Sequence, residues 1–175
     1  MNDFSYCRRF PVLAELMDAA DRKDVRSIDC AKPMRPFIAD MTSYAPGWLR
    51  FLYWVRGGFV RLLGYRQDFE TDFPKLRPED LSMTPGDPAS FFTVHAAEED
   101  RYWVASATDS TLTGYLAVAA EPLSDSGNEG GGRGLTRYHV LCMAHYLHWR
   151  AHIYYNVINP FHHVVVHSMV RAGAR

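Results

Sequence analysis

The sequence predicts an α+β domain in which a last helix, about Trp149 to Arg171, closes over an antiparallel sheet. Three observations predict it. From Phe91 onward the apolar period shifts towards two, the side-chain repeat of a strand. Before and after that stretch, apolar residues recur at steps of three and four, the repeat of a helix. The 175 residues are 47% hydrophobic and 22% charged, which fits one globular domain and neither a disordered nor a fibrous chain.

Taken in order, Val12, Leu13, Leu16, Met17 and Ala20 have helical spacing and predict a short amphipathic helix over Pro11 to Ala20. Val25 to Cys30 reads as a strand. Pro33, Pro36 and Pro46 bracket a short helix around Phe37 to Met41. Trp48, Phe51, Leu52, Val55, Phe59, Leu62 and Leu63 then make Pro46 to Leu63 an amphipathic helix stopped by Gly64. Gly57 and Gly58 inside it each cost about 1 kcal/mol relative to Ala, a cost that close approach of the helix to a sheet offsets. Tyr65 to Pro88, with four prolines among many charges, suits a long surface connection that could serve as a cavity lid.

Strands follow at Phe91 to His95, Arg101 to Thr108, Leu112 to Ala120 and Leu135 to Leu147. The connections Ala97-Glu98-Glu99-Asp100 and Asp109-Ser110 are short enough for hairpins, so the strands form an antiparallel meander. Ser124 to Gly134 is a polar, glycine-rich connection without the Gly-Lys-Ser/Thr ending of a phosphate-binding loop. On the last helix Tyr154, Ile158, Phe161, Val165 and Met169 make the stripe expected to lie on the sheet, and Pro160 predicts a break or kink near Asn159.

Composition also excludes function classes. A formal net charge of −1 leaves no basic field for nucleic acid. No stretch approaches the roughly 20 apolar residues of a membrane span, and Met1 to Met17 lacks the apolar core of a secretory signal, so a cytoplasmic location is expected. Cys7, Cys30 and Cys142 are widely spaced without a CxxC pair and read as reduced structural thiols. An aromatic content of 14% points to a thick core or a lined cavity.

Tyr138-His139-Val140-Leu141 through Tyr146, Tyr154-Tyr155, Ile158-Asn159-Pro160-Phe161-His162 and Val164-Val165-Val166 resemble an uncharacterised bacterial family, domain-of-unknown-function family 2867. Pro46-Gly47-Trp48 and the Arg56 to Gly64 stretch resemble its first long helix, so the similarity spans most of Val25 to Arg171. Ala151-His152 stands where the family pattern has a Gly-Arg pair. The resemblance and the element order are similar to the START-like and Bet v 1-like helix-grip group. That implies a curved antiparallel sheet gripping a long C-terminal helix, with an apolar cavity between them. One domain over residues 1–175 is expected, 1–24 as an N-terminal extension and 25–175 as the helix-grip-like part.

Candidate residues follow from the same elements. His139 and His145 share one face of the last strand, where a histidine in an apolar pocket could act as acid or base or orient a ligand. Both faces of that strand are apolar, so periodicity does not say which meets the last helix. The expected ligand-lining set is Trp103, Tyr115, His139, Met143, His145 and Tyr154. His148/His152 and His163/His167 have the i, i+4 spacing of helical metal ligands, but no nearby acidic residue completes a site, and ordinary surface or capping histidines are the preferred reading. His162 is read as fixing the helix near Pro160. No nucleophile elbow or triad spacing occurs, the acidic run Glu98-Glu99-Asp100 reads as a solvated turn, and no cofactor is called for. The leading expectation is a non-catalytic protein that binds a small hydrophobic or aromatic ligand. A cyclase-like or lyase-like enzyme using His139 or His145, and a structural homodimer with a solid core, are the alternatives.

Overall fold

A computed structural model describes residues 4–49, 51–52, 54, 75–108, 112–123, 134–148 and 150–175, without the side chains of 150–154, 158 and 160. Helix α1 (Pro11–Ala19) leads into strand β1 (Arg22–Cys30) and helix α2 (Met34–Thr42). Strands β2 (Pro88–Ala89), β3 (Phe92–Glu98), β4 (Tyr102–Thr108), β5 (Leu112–Pro122) and β6 (Thr136–Tyr146) follow, and helix α3 (Arg150–Ala174) ends the chain. They form one curved, six-stranded antiparallel sheet in the order β1-β6-β5-β4-β3-β2. The expected meander is therefore present, with β1 added at its far edge beside the last strand.

Several boundaries differ from the sequence reading for local reasons. β1 starts at Arg22 rather than Val25, because pairing with Ala144 recruits charged residues that carry no strand signal of their own. α2 starts at Met34 and takes in Pro36, which sits in the first helical turn, where its missing N–H would have no intrahelical partner. β3 runs on to Glu98 past a bulge between Val94 and Ala96, which breaks the alternation that would have revealed its full length. Residues 47–49, 51–52 and 54 are helical, which agrees with the start of the helix expected over Pro46 to Leu63. Its remainder, with Gly57 and Gly58, the first part of the expected lid and the Ser124 to Gly134 connection up to residue 133, lies outside the described residues.

α3 runs unbroken through Pro160, against the expected break. A single proline removes one backbone donor, and the bonds on either side keep a 25-residue helix continuous. Of the expected stripe, Met169 packs against the core, Val165 is partly buried, and the side chains of Tyr154 and Ile158 lie outside the described residues. Phe161 is exposed, whereas His163 is partly buried and Val166, Val170 and Gly173 face inward. A Cβ placed at Gly173 would come within 2.8 Å of the Phe37 carbonyl oxygen and 3.0 Å of the Met41 Cβ. The hydrogen side chain lets α3 press against α2 at this point.

The sheet is covered on both faces. On one, α2 and α3 bury Trp103, Val118, Tyr138 and Val140 against Met34, Phe37, Ile38, Val166 and Val170. Phe37 and Tyr138 stack with ring centroids 4.3 Å apart, and the Tyr138 hydroxyl donates to the Lys32 carbonyl at 2.8 Å. On the other face α1 and the turn before it place Cys7, Phe10, Leu13 and Met17 over Val25, Val104, Ala117, Leu141 and Met143. Apolar residues on both faces of β6 are thus accounted for by two separate cores. Among the described residues, no helix is long and apolar enough to cross a membrane.

Candidate functional site

The alternation of β6 sends its side chains to two different places. His139, Leu141, Met143 and His145 face α1, and Tyr138, Val140, Cys142, Ala144 and Tyr146 face α3. The expected ligand-lining set is divided accordingly. Trp103 lies fully buried on the α3 face, its indole donating to the Ser82 carbonyl at 3.2 Å. Met143, Tyr115, His139 and His145 lie on the α1 face. Tyr154 is part of α3, and its side chain is outside the described residues.

On the α3 face, large side chains fill one half of the sheet and small ones the other. Trp103, Tyr138 and Phe37 occupy the first. Towards the opposite strand ends, the register lines up Ala107, Gly114 and Ala144 in one row across β4, β5 and β6. Among the described residues, a Cβ at Gly114 would meet nothing nearer than 3.8 Å, so the described residues leave a hollow over this row. The next row, Ala105, Leu116 and Cys142, already belongs to the packed core. At the β1 side stand aromatic and charged groups. Arg22 donates from Nε to the Tyr146 hydroxyl at 3.3 Å, and its guanidinium carbon lies 5.9 Å from the centre of the Tyr155 ring. Asp24 is ion-paired with Arg26 at 3.4 Å and lies 3.2 Å from Nδ1 of His163, which is itself 3.0 Å from Arg26. Burial pushes the Cys142 thiol and the Tyr155 phenol each up to about 12.

On the α1 face, three strands bring together a polar row that no sequence spacing reveals. Ser27 Oγ is 2.9 Å from Nδ1 of His139, and Nε2 of the same ring is 2.9 Å from Oε2 of Glu121. Tyr6 stacks on His139 with centroids 5.1 Å apart and donates its hydroxyl to the Ala120 carbonyl at 2.8 Å. Burial, with the Glu121 charge adding, holds the Tyr6 phenol above its ordinary range. Beside this row Tyr6, Arg9, Phe10, Arg101, Glu121 and Pro122 line an open cleft of about 440 Å³. Farther along the same face, His145 packs on Tyr115, with centroids 5.3 Å apart, and its buried Nε2 has no hydrogen-bond partner among the described residues.

The histidine pairs separate. His148 lies in the bend before α3 rather than on it, so His148/His152 do not share a helical face. His163 turns inward to Asp24, while His167 is exposed on α3. His162 is partly buried with its ring 6.3 Å from that of Tyr155. Among the described residues no group of three or more His, Cys, Asp or Glu side chains is placed to hold a metal ion. The acidic turn is ion-paired, Glu99 to Arg35 through two bonds of 2.8 and 2.6 Å and Glu98 to Arg101.

A family model described as "Protein of unknown function (DUF2867)" matches residues 16–169. No curated protein and no solved structure matches the chain.

Proposed function

The chain belongs to the DUF2867 family of proteins of unknown function, and on that footing we propose that it binds a small hydrophobic or aromatic molecule, without transforming it, in the hollow between the sheet and α3. The row Ala107, Gly114, Ala144 carries this reading. A close-packed interior fills such a space with larger side chains, as the other half of the same face does. Small side chains in one row leave room for a guest, and the polar groups of Arg22, Tyr146 and Tyr155 at its rim suit orientation of that guest by hydrogen bonds.

Gly114→Val tests it. Valine fits a strand better than glycine and should raise stability by about 0.5–1 kcal/mol. In the same variant, uptake of apolar ligands, followed by native mass spectrometry and displacement of a fluorescent apolar probe, should weaken at least tenfold. A wild-type protein that takes up no member of an apolar and aromatic panel would remove the proposal.

For His139, one of its two candidate histidines, the catalytic alternative is less well supported. Both nitrogens of His139 are engaged by side chains and its ring is covered by Tyr6, so it is held as a structural bridge rather than presented to a substrate. The homodimer alternative draws on Val157, Phe161 and Val164, which are exposed at i, i+4 and i+7 on α3. Light scattering of the wild type against Phe161→Glu measures it directly.

A further inference from the structure

The cleft on the α1 face lies on the opposite side of the sheet from the hollow and has the chemistry of a second, different site. Its walls are two aromatic rings, each faced by a guanidinium, with the polar groups most exposed. The guanidinium of Arg9 lies over the Tyr6 ring and that of Arg101 over the Phe10 ring, each 5.4 Å from the ring centre, and Pro122 completes the lining. Its charges are divided between the two signs. Arg101 is shared with Glu98, whereas Arg9 has no carboxylate partner among the described residues. Glu121 gives one oxygen to His139, and its other oxygen, Oε1, has no hydrogen-bond partner among the described residues.

Three kinds of guest can be compared against this arrangement. A neutral apolar molecule would leave Arg9 and the Glu121 oxygen unused. A simple inorganic anion would satisfy the guanidinium groups but stand near the Glu121 carboxylate with nothing to offer it. A planar molecule with an acid at one end and a hydrogen-bond donor at the other uses every polar group: the acid meets Arg9 and Arg101, the donor meets Glu121, and the ring lies along Pro122 beside Tyr6. We propose that the cleft formed by Tyr6, Arg9, Phe10, Arg101, Glu121 and Pro122 binds a small aromatic acid that also carries a hydroxyl or amine donor, the class of the hydroxybenzoates and aromatic amino acids. A volume of about 440 Å³ holds a molecule of that size. His139 and Ser27 do not touch this guest. They fix Glu121 from behind, so that its charge and direction are set before the guest arrives.

Calorimetric titration of the full chain with 4-hydroxybenzoate, L-tyrosine, benzoate, phenol and inorganic phosphate tests the proposal. Saturable one-to-one binding of 4-hydroxybenzoate or L-tyrosine is expected, at least tenfold tighter than binding of benzoate, phenol or phosphate. Arg9→Ala, a change at an exposed position, should weaken that binding at least tenfold with the circular dichroism spectrum unchanged. Glu121→Gln should narrow the preference over benzoate. Amide shifts on titration should map to Tyr6, Phe10 and Arg101 and be the same in Gly114→Val. Absence of saturable binding, phosphate binding as tightly as the aromatic acids, or binding that survives Arg9→Ala but is lost in Gly114→Val would each overturn it, the last by placing the ligand in the hollow instead.

Discussion

Cys142 and Tyr155 meet where β6 passes under α3, and each is kept neutral mainly by removal from water. The thiol rises from an ordinary 9.0 to about 12, with the Asp24 charge adding, and the phenol rises from 10.0 to about 12. In both, the folded value lies above the unfolded one. Their contribution to stability is therefore whole below pH 9 and pH 10 respectively and is lost as the pH climbs towards about 12. The urea midpoint should begin to fall near pH 9, and in Cys142→Ala that onset should move up towards pH 10. Midpoint curves for wild type and Cys142→Ala that coincide across this range would contradict the argument. Little of this was legible beforehand. A lone cysteine on an apolar strand reads as core whichever way it points, and the partner that matters, Asp24, lies on a strand whose start carries no apolar alternation.

At the scale of elements, the contact between α2 and α3 turns on Gly173. Gly173→Ala would gain about 1 kcal/mol of helix propensity but force the helices apart against a backbone oxygen, an overpacking cost of about 1–3 kcal/mol. A net loss of up to about 2 kcal/mol is expected in equilibrium denaturation, and a stabilising result would show that the helices separate freely. The meander was readable because β4, β5 and β6 are apolar runs of strand length and their connections are short or rich in turn residues. The orientation of α3 was not readable. Phe161 is as apolar as Val166 and Val170 yet is exposed while they are buried, and the close approach at Gly173 together with the link from His163 to Asp24 sets the face that packs. The row from Ser27 through His139 to Glu121 was hidden for a related reason, since its members sit on three strands and are assembled by register alone.

At the scale of the whole molecule, the sheet separates two cores, and the second depends on a short N-terminal piece. Deleting residues 1–20 would uncover Val104, Ala117, Leu141 and Met143 and leave His139 without its Tyr6 cover. The truncated chain should bind a hydrophobic dye in solution and lose its near-ultraviolet circular dichroism, while a fully cooperative unfolding transition at the wild-type midpoint would show the first core to be self-sufficient. The strand order has a further consequence in time. Among the described strands β1 pairs with β6 alone, and the partners Cys30 and Thr136 are separated by roughly a hundred residues of chain. At a synthesis rate of about 5–20 residues per second, a newly made β1 waits on the order of ten seconds before its partner exists. During that interval its backbone donors and acceptors are open to any other strand. The charges at Arg22, Lys23, Asp24, Arg26 and Asp29 therefore keep the nascent chain from finding the wrong neighbour as well as serving the finished fold.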